Sequence, residues 1–274
     1  TVNSGATLDA QGTRALPITF TSAKDDAWGG DTNGDGDKSY PYAGDWSRIE
    51  CSGTVKMNHC RIWYASDTSD YGAIQGTGGT VRFDNGEIAH MVYECVRMNS
   101  GSFVSYNSVF RDSSMGFGYY GGSGTYVYNG VVEGCSSACR ASNKHFYNTV
   151  FYRCPTFLES TSSSCNNCLF FNPAGCGVQE FSKCGNDGNV WADPLFIDAD
   201  KGDFRVADNS PCLDAGNTTF APDRDYYGQP RVGESSDIGI YEIMPRYVSS
   251  DVDLAVRDVL VSDGVEVGGK LSVR

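Results

Sequence analysis

Along the middle of the chain, asparagine followed by a short apolar run returns at near-regular distance. The anchors are Asn58 (NHCRI), Asn85 (NGEIA), Asn107 (NSVFR), Asn129 (NGVVE), Asn148 (NTVFY), Asn167 (NCLFF) and Asn189 (NVWAD), separated by 27, 22, 22, 19, 19 and 22 residues. A period of about 22 residues is too short for a propeller blade or a helical repeat. It suits an all-β solenoid in which each turn contributes a few short strands, each pairing with its equivalent in the next turn. Asparagine tolerates the left-handed conformation of a sharp corner, and identical amides stacked at strand spacing bond to one another along the axis. The alternation after each anchor predicts an inward stack of Val109, Val131, Val150 and Leu169. Cys135 and Cys154, each six residues after its anchor, fall on adjacent turns as either a disulfide or a stack of small apolar groups.

After residue 243 the pattern changes. Residues 253–261 (DLAVRDVLV) and 266–273 (EVGGKLSV) alternate as two strands around a Ser-Asp-Gly turn. The predicted organisation is a parallel β-helix over 1–243, then a linker and two strands over 244–274. Two strands bury no core alone. They read either as the start of a further domain or as donor strands for a neighbouring subunit.

Composition sharpens this picture. No leucine lies between Leu16 and Leu158, while Gly, Ser, Thr, Val, Tyr and Phe dominate that interval, the usage of strands and turns. The 274 residues carry a net charge of −13, with 21 Lys and Arg scattered rather than clustered. That balance argues against a nucleic-acid partner and favours divalent cations. No stretch approaches the roughly 18 apolar residues of a membrane-spanning helix. Eleven cysteines at irregular spacing point to disulfides and a secreted or cell-surface protein, and the odd number leaves one thiol free or paired with another chain. The first residue is Thr and no leader is present, which fits a mature or excised form.

The sharpest local motif is DDAWGGDTNGDGD, residues 25–37. Asp31, Asn33 and Asp35 alternate before Gly36, as in the first half of an EF-hand-type calcium loop. The twelfth-position glutamate is missing, because residue 42 is Tyr. Asp25, Asp26 or Asp37 would complete the shell of a Ca2+ ion.

Two blocks carry a family resemblance. Residues 17–22 (PITFTS), the acidic motif and AGDW at 43–46 resemble the opening of right-handed parallel β-helix proteins of microbial surfaces. The second block comprises DPLFID (193–198), GDFR (202–205), SPCLDAG (210–216), Asp225, GQPR (228–231) and DIGIYE (237–242). It is similar to the C-terminal segment of the same proteins, although Cys212 stands where a small apolar residue is usual. The resemblance implies a right-handed coil of the pectate-lyase-like type. The tail resembles the first strands of an adhesion-related immunoglobulin-like (CARDB-like) domain. That architecture serves polysaccharide lyases, pectinolytic enzymes, adhesins and structural modules alike.

Lyases resembling this fold use a basic residue as proton acceptor beside a uronate carboxylate. Here Lys144 and His145, with Arg140 and Arg153, form the basic cluster of a coil face. Asp84, Asp112 and Glu133 share no offset from their anchors, so no paired-carboxylate site emerges. Tyr119, Tyr120, Tyr126 and Tyr128 are candidates for stacking on carbohydrate. The leading expectation is a non-catalytic, calcium-stabilised extracellular structural or adhesion protein. It would assemble as a homo-oligomer, or with neighbouring domains, by end-to-end coil pairing and C-terminal strand exchange. The alternative is a polysaccharide lyase.

Overall fold

The structure is a computed structural model describing residues 1–67, 71–118, 124–140, 142–158, 163–174, 187–231 and 233–243. Thr1–Ile243 form one compact unit and Met244–Arg274 a second, which lies outside the described residues together with its two expected strands.

The first unit is an all-β parallel solenoid. One coil runs through the strands Thr125–Tyr128, Val131–Glu133 and Ser137–Cys139. Each pairs in parallel with its equivalent one turn on: Lys144–Tyr147, Val150–Tyr152 and Thr156–Leu158. In earlier turns the faces merge into long bent strands, Gly72–Asp84 and Glu87–Tyr106. Helix among the described residues is limited to two three-residue 3-10 turns, and a small antiparallel pair joins Phe196–Asp198 to Asp203–Val206.

The asparagine corner is real. Asn85, Asn107, Asn129, Asn148 and Asn167 all take φ between +49° and +51°, the left-handed region that Asn enters most easily among non-glycine residues. At both ends the alignment shifts by one. Register places Arg61 opposite Glu87 and Leu169 opposite Val190, so His59 (φ +48°) and Gly188 (φ +73°) hold the terminal corners instead of Asn58 and Asn189. A second left-handed corner lies five residues further on, at Tyr64, His90, Asp112, Gly134 and Arg153. Five residue types share that position, so no sequence repeat announces it.

The interior column is Ile62, Ile88, Phe110, Val132, Phe151 and Phe170, each at most 1% exposed. Phe151 and Phe170 stack at 4.8 Å, and Phe170 stacks on Trp191 at 4.5 Å. The expected inward stack of Val109, Val131, Val150 and Leu169 therefore faces the other way. Strand alternation puts the third residue after each corner inside and the second outside. These outer residues are buried because the strap at 193–243 covers them with Phe204, Val206, Cys212, Ile238 and Ile240, which makes a second core.

The strap docks on the asparagine ladder. Along the ladder the Asn85 amide donates to Asn58 Oδ1 (2.9 Å), Asn107 to Asn85 (3.2 Å) and Asn148 to Asn129 (3.2 Å). Laterally, Asn129 donates to the carbonyls of Asp237 and Gly239, Asn148 to that of Asn217, and Asn167 to that of Ala215. Asn129, Asn148 and Asn167 thus each satisfy carbonyls of a segment that has little ladder hydrogen bonding of its own.

The expected disulfides are not formed among the described residues. Cys51, Cys60, Cys95, Cys135, Cys154, Cys168 and Cys212 are buried thiols outside any disulfide, packed as small apolar groups where larger side chains would overfill the coil. Cys176 and Cys184 lie outside the described residues.

Candidate functional site

The acidic motif lies in the turn-rich insertion between strands Ile18–Phe20 and Ile49–Cys51. Its base is tied by Asp45, which accepts from Ser22 Oγ, Lys24 Nζ and the Tyr42 amide at 2.6–3.0 Å. Within the loop the Asp31 carboxylate accepts from the backbone N–H groups of Asp35 (3.1 Å) and Gly36 (2.9 Å). Those bonds curl the chain so that carboxylate oxygens of Asp26, Asp31 and Asp35 come within 4.8 Å of one another. Of the three candidates to join the alternating set, Asp26 is the one brought in. Asp25 is buried and accepts from Thr21 Oγ1 at 2.6 Å, and Asp37 is exposed outside the group. Asn33 uses its side chain within the loop: Oδ1 accepts from the Asp35 amide, and Nδ2 donates to Asp35 Oδ2 and Ser39 Oγ.

The electrostatics are those of an unbalanced acidic nest. Burial, then Asp31, Asp35, Asp37 and Asp25 in turn, push the Asp26 carboxyl above its usual range. Asp26 Oδ1 and Asp35 Oδ1 are shielded from solvent and accept no hydrogen bond. A buried carboxylate oxygen without a donor is costly, and an oxygen-seeking cation removes that cost. The residues present therefore fit a calcium ion, with Asp26, Asp31 and Asp35 as carboxylate donors.

The basic candidates do not converge. Lys144 and His145 are adjacent on one strand and point to opposite faces. Lys144 is 1% exposed, and burial lowers its ammonium pKa. His145 stacks on Tyr126 at 5.0 Å and bonds to Ser164 Oγ at 2.9 Å. Arg153 stands at the second corner, on the next face of the coil, and pairs with Asp200 of the strap.

The tyrosines are equally committed. Tyr106, Tyr128 and Tyr147 stack at 4.7 and 5.0 Å, with Arg82 over the first ring and Phe220 against the last. Their faces are covered by one another, which leaves edges and hydroxyls to solvent rather than a platform for sugar. Tyr119 and Tyr120 lie outside the described residues.

A charge cluster that sequence reasoning missed follows the second corner. Arg111 bonds Glu87 (2.6 Å) and Asp112 (3.0 Å), His90 faces Asp112 at 3.6 Å, and Arg153 lies 3.9 Å from Glu133. Burial first, then Asp112, pushes the Glu133 carboxyl up to about 7 against the pull of Arg111 and Arg153. In the folded chain Glu133 holds its proton over a range where the unfolded chain has released it. Its contribution to stability is present below the ordinary glutamate pKa and is lost as pH rises through about 7. Thermal melts from pH 5 to 8 are expected to show a falling Tm, with a shallower fall in Glu133→Gln. An equal slope in both proteins refutes this assignment.

No protein-family model matches the chain, and neither a curated protein nor a solved structure matches it. No helix among the described residues is long and apolar enough to cross a membrane.

Proposed function

We propose that this chain is a non-catalytic, extracellular structural or adhesive module. In this reading calcium bound by Asp26, Asp31 and Asp35 rigidifies the insertion on a right-handed β-helix that associates with further copies or neighbouring domains. The observation that carries the reading is the pair of shielded, donorless oxygens of Asp26 and Asp35 in a preformed turn. The resemblance of residues 17–46 and 193–242 to microbial surface proteins supports the extracellular setting and the pectate-lyase-like coil. Residues 244–274 would supply the start of a CARDB-like domain or donor strands.

Association has its own support. Thr7–Gln11 pairs only with Thr54–Asn58, and Ile18–Phe20 only with Cys60–Trp63, among the described residues. Their outer edges leave backbone donors and acceptors open, and such an edge templates further pairing. The lyase alternative has no comparable observation behind it, since Lys144 and His145 point to opposite faces of their strand and Arg153 pairs with Asp200 at the next corner.

Sedimentation across a concentration series, in calcium and in chelator, with negative-stain images, tests this function. Assemblies that grow with concentration in calcium and shrink in chelator are expected. A monomer at every concentration in calcium overturns the self-association.

A further inference from the structure

Asn217, Thr218 and Thr219 open the 3-10 turn Thr218–Phe220 of the strap. Of the chain's asparagines, only Asn217 is followed two residues on by Ser or Thr with no proline between. An Asn-X-Ser/Thr triplet is the acceptor pattern of N-linked glycosylation, usable where the asparagine lies at the surface of a secreted chain. The triplet alone marks a candidate, and the fold around it decides.

The ladder holds Asn217 by its main chain and leaves its side-chain nitrogen over. The Asn217 N–H donates to Asn148 Oδ1 at 2.8 Å, and its carbonyl accepts from Asn148 Nδ2 at 3.0 Å. Asn217 Oδ1 accepts from the Thr219 N–H at 2.9 Å, closing an Asx turn that caps the 3-10 turn. With Oδ1 held there, Nδ2 is the end of the planar amide directed away from the turn, and it has no acceptor among the described residues. Asn217 is partly exposed, and Thr218 and Thr219, whose hydroxyl completes the triplet, are exposed. Beside them Phe220 packs on Tyr147 at 4.2 Å, so the acceptor amide stands on a packed scaffold. The ladder asparagines are the reverse case. Asn107, Asn129 and Asn148 are at most 3% exposed, each spends Nδ2 on neighbouring acceptors, and none has a hydroxyl residue two positions on. The one acceptor triplet thus coincides with a surface amide nitrogen that the fold does not use.

We propose that Asn217 is an acceptor site for N-glycosylation, taking an oligosaccharide from a polyprenyl-pyrophosphate-linked donor. The bond formed joins Nδ2 to C1 of the first sugar. The bond broken joins that C1 to a pyrophosphate oxygen, which keeps the electron pair and leaves as the lipid pyrophosphate, while Nδ2 gives up one proton. No oxidant or reductant is needed. The inference rests on the extracellular reading above, because such donors are consumed on the non-cytosolic face of a membrane, and does not depend on calcium. A bulky, solvated glycan at this place excludes close contact on the strap face. Association between copies is thereby directed to the coil end at Thr7–Gln11 and Ile18–Phe20.

The test incubates the purified full chain with an oligosaccharyltransferase and a lipid-linked oligosaccharide, and reads the intact mass and the tryptic peptide 206–224. One glycan per chain, placed on Asn217 by fragmentation, is the expected result. Asn217→Gln and Thr219→Ala should each abolish it, and Thr219→Ser should retain it. Thermal melting of Thr219→Ala should match that of the parent, because the altered side chain is exposed. The free synthetic peptide 206–224 serves as the control for sequence alone. Modification of that peptide but not of the folded chain overturns the proposal, as does failure of both, a glycan on another residue, or one that survives Thr219→Ala. Recovery of the native protein from the cytosol, with the acceptor assay positive, overturns the extracellular reading and leaves the acceptor site standing.

Discussion

Phe151→Ala is expected to lower the unfolding free energy by about 3–5 kcal/mol, the cost of deleting a fully buried aromatic ring. The ring is 0% exposed and lies parallel to Phe170 at 4.8 Å, with Phe146 edge-on at 5.0 Å. Its backbone pairs both ways, with Val132 and Phe170. A solenoid coil touches only its neighbours, so a void there weakens two interfaces at once and has no distant packing to collapse onto it. Against a typical total of about 5–15 kcal/mol this is a large fraction. Urea melts of parent and variant measure it. A loss under about 1 kcal/mol contradicts the assignment of this column to the core.

The second large effect is expected at the strap. Arg231 and Glu242 are each 2% exposed in their side chains and pair at 2.8 Å. Arg231 also donates to Asn107 Oδ1 and the Gly239 carbonyl, and Glu242 accepts from the Asp237 amide. Arg231→Ala leaves Glu242 buried with only a backbone donor and removes one of the ties between strap and ladder, while the bonds from Asn129, Asn148 and Asn167 remain. Removing one partner of a buried pair costs about 3–5 kcal/mol. The apolar face of Val109, Val131, Val150 and Leu169 would then meet water whenever the strap lifts. Limited proteolysis should cut the variant within residues 193–243 much faster than the parent. Equal protection in both proteins means that the Arg231–Glu242 pair does not hold the strap in place.

How much of this was legible in the sequence depended on whether one residue type was required. Left-handed corners select asparagine strongly, so the first corner and the ladder could be read directly, with errors only where His59 and Gly188 substitute. The second corner accepts tyrosine, histidine, aspartate, glycine and arginine, and left no trace. Val109, Val131, Val150 and Leu169 were visible as apolar, but their direction was not. A residue buried beneath a strap joined to the solenoid late in sequence looks the same as one buried inside. The same distance in sequence hid the pairing of Arg153 with Asp200. The acidic loop was legible because its turn is local: alternating oxygens and Gly36 lie within six residues. The participation of Asp26 rather than Asp25 or Asp37 depended on backbone curvature that spacing does not encode.

Calorimetric titration of calcium into the chelator-stripped chain, alongside Asp31→Asn and Asp35→Asn, tests the central claim most directly. The parent is expected to take up one ion, and at a hundredfold excess over Kd to gain about 2.7 kcal/mol of stability. Both variants should bind at least tenfold more weakly. Absence of binding heat and of any calcium-dependent rise in Tm, or equal uptake by parent and variants, contradicts the account.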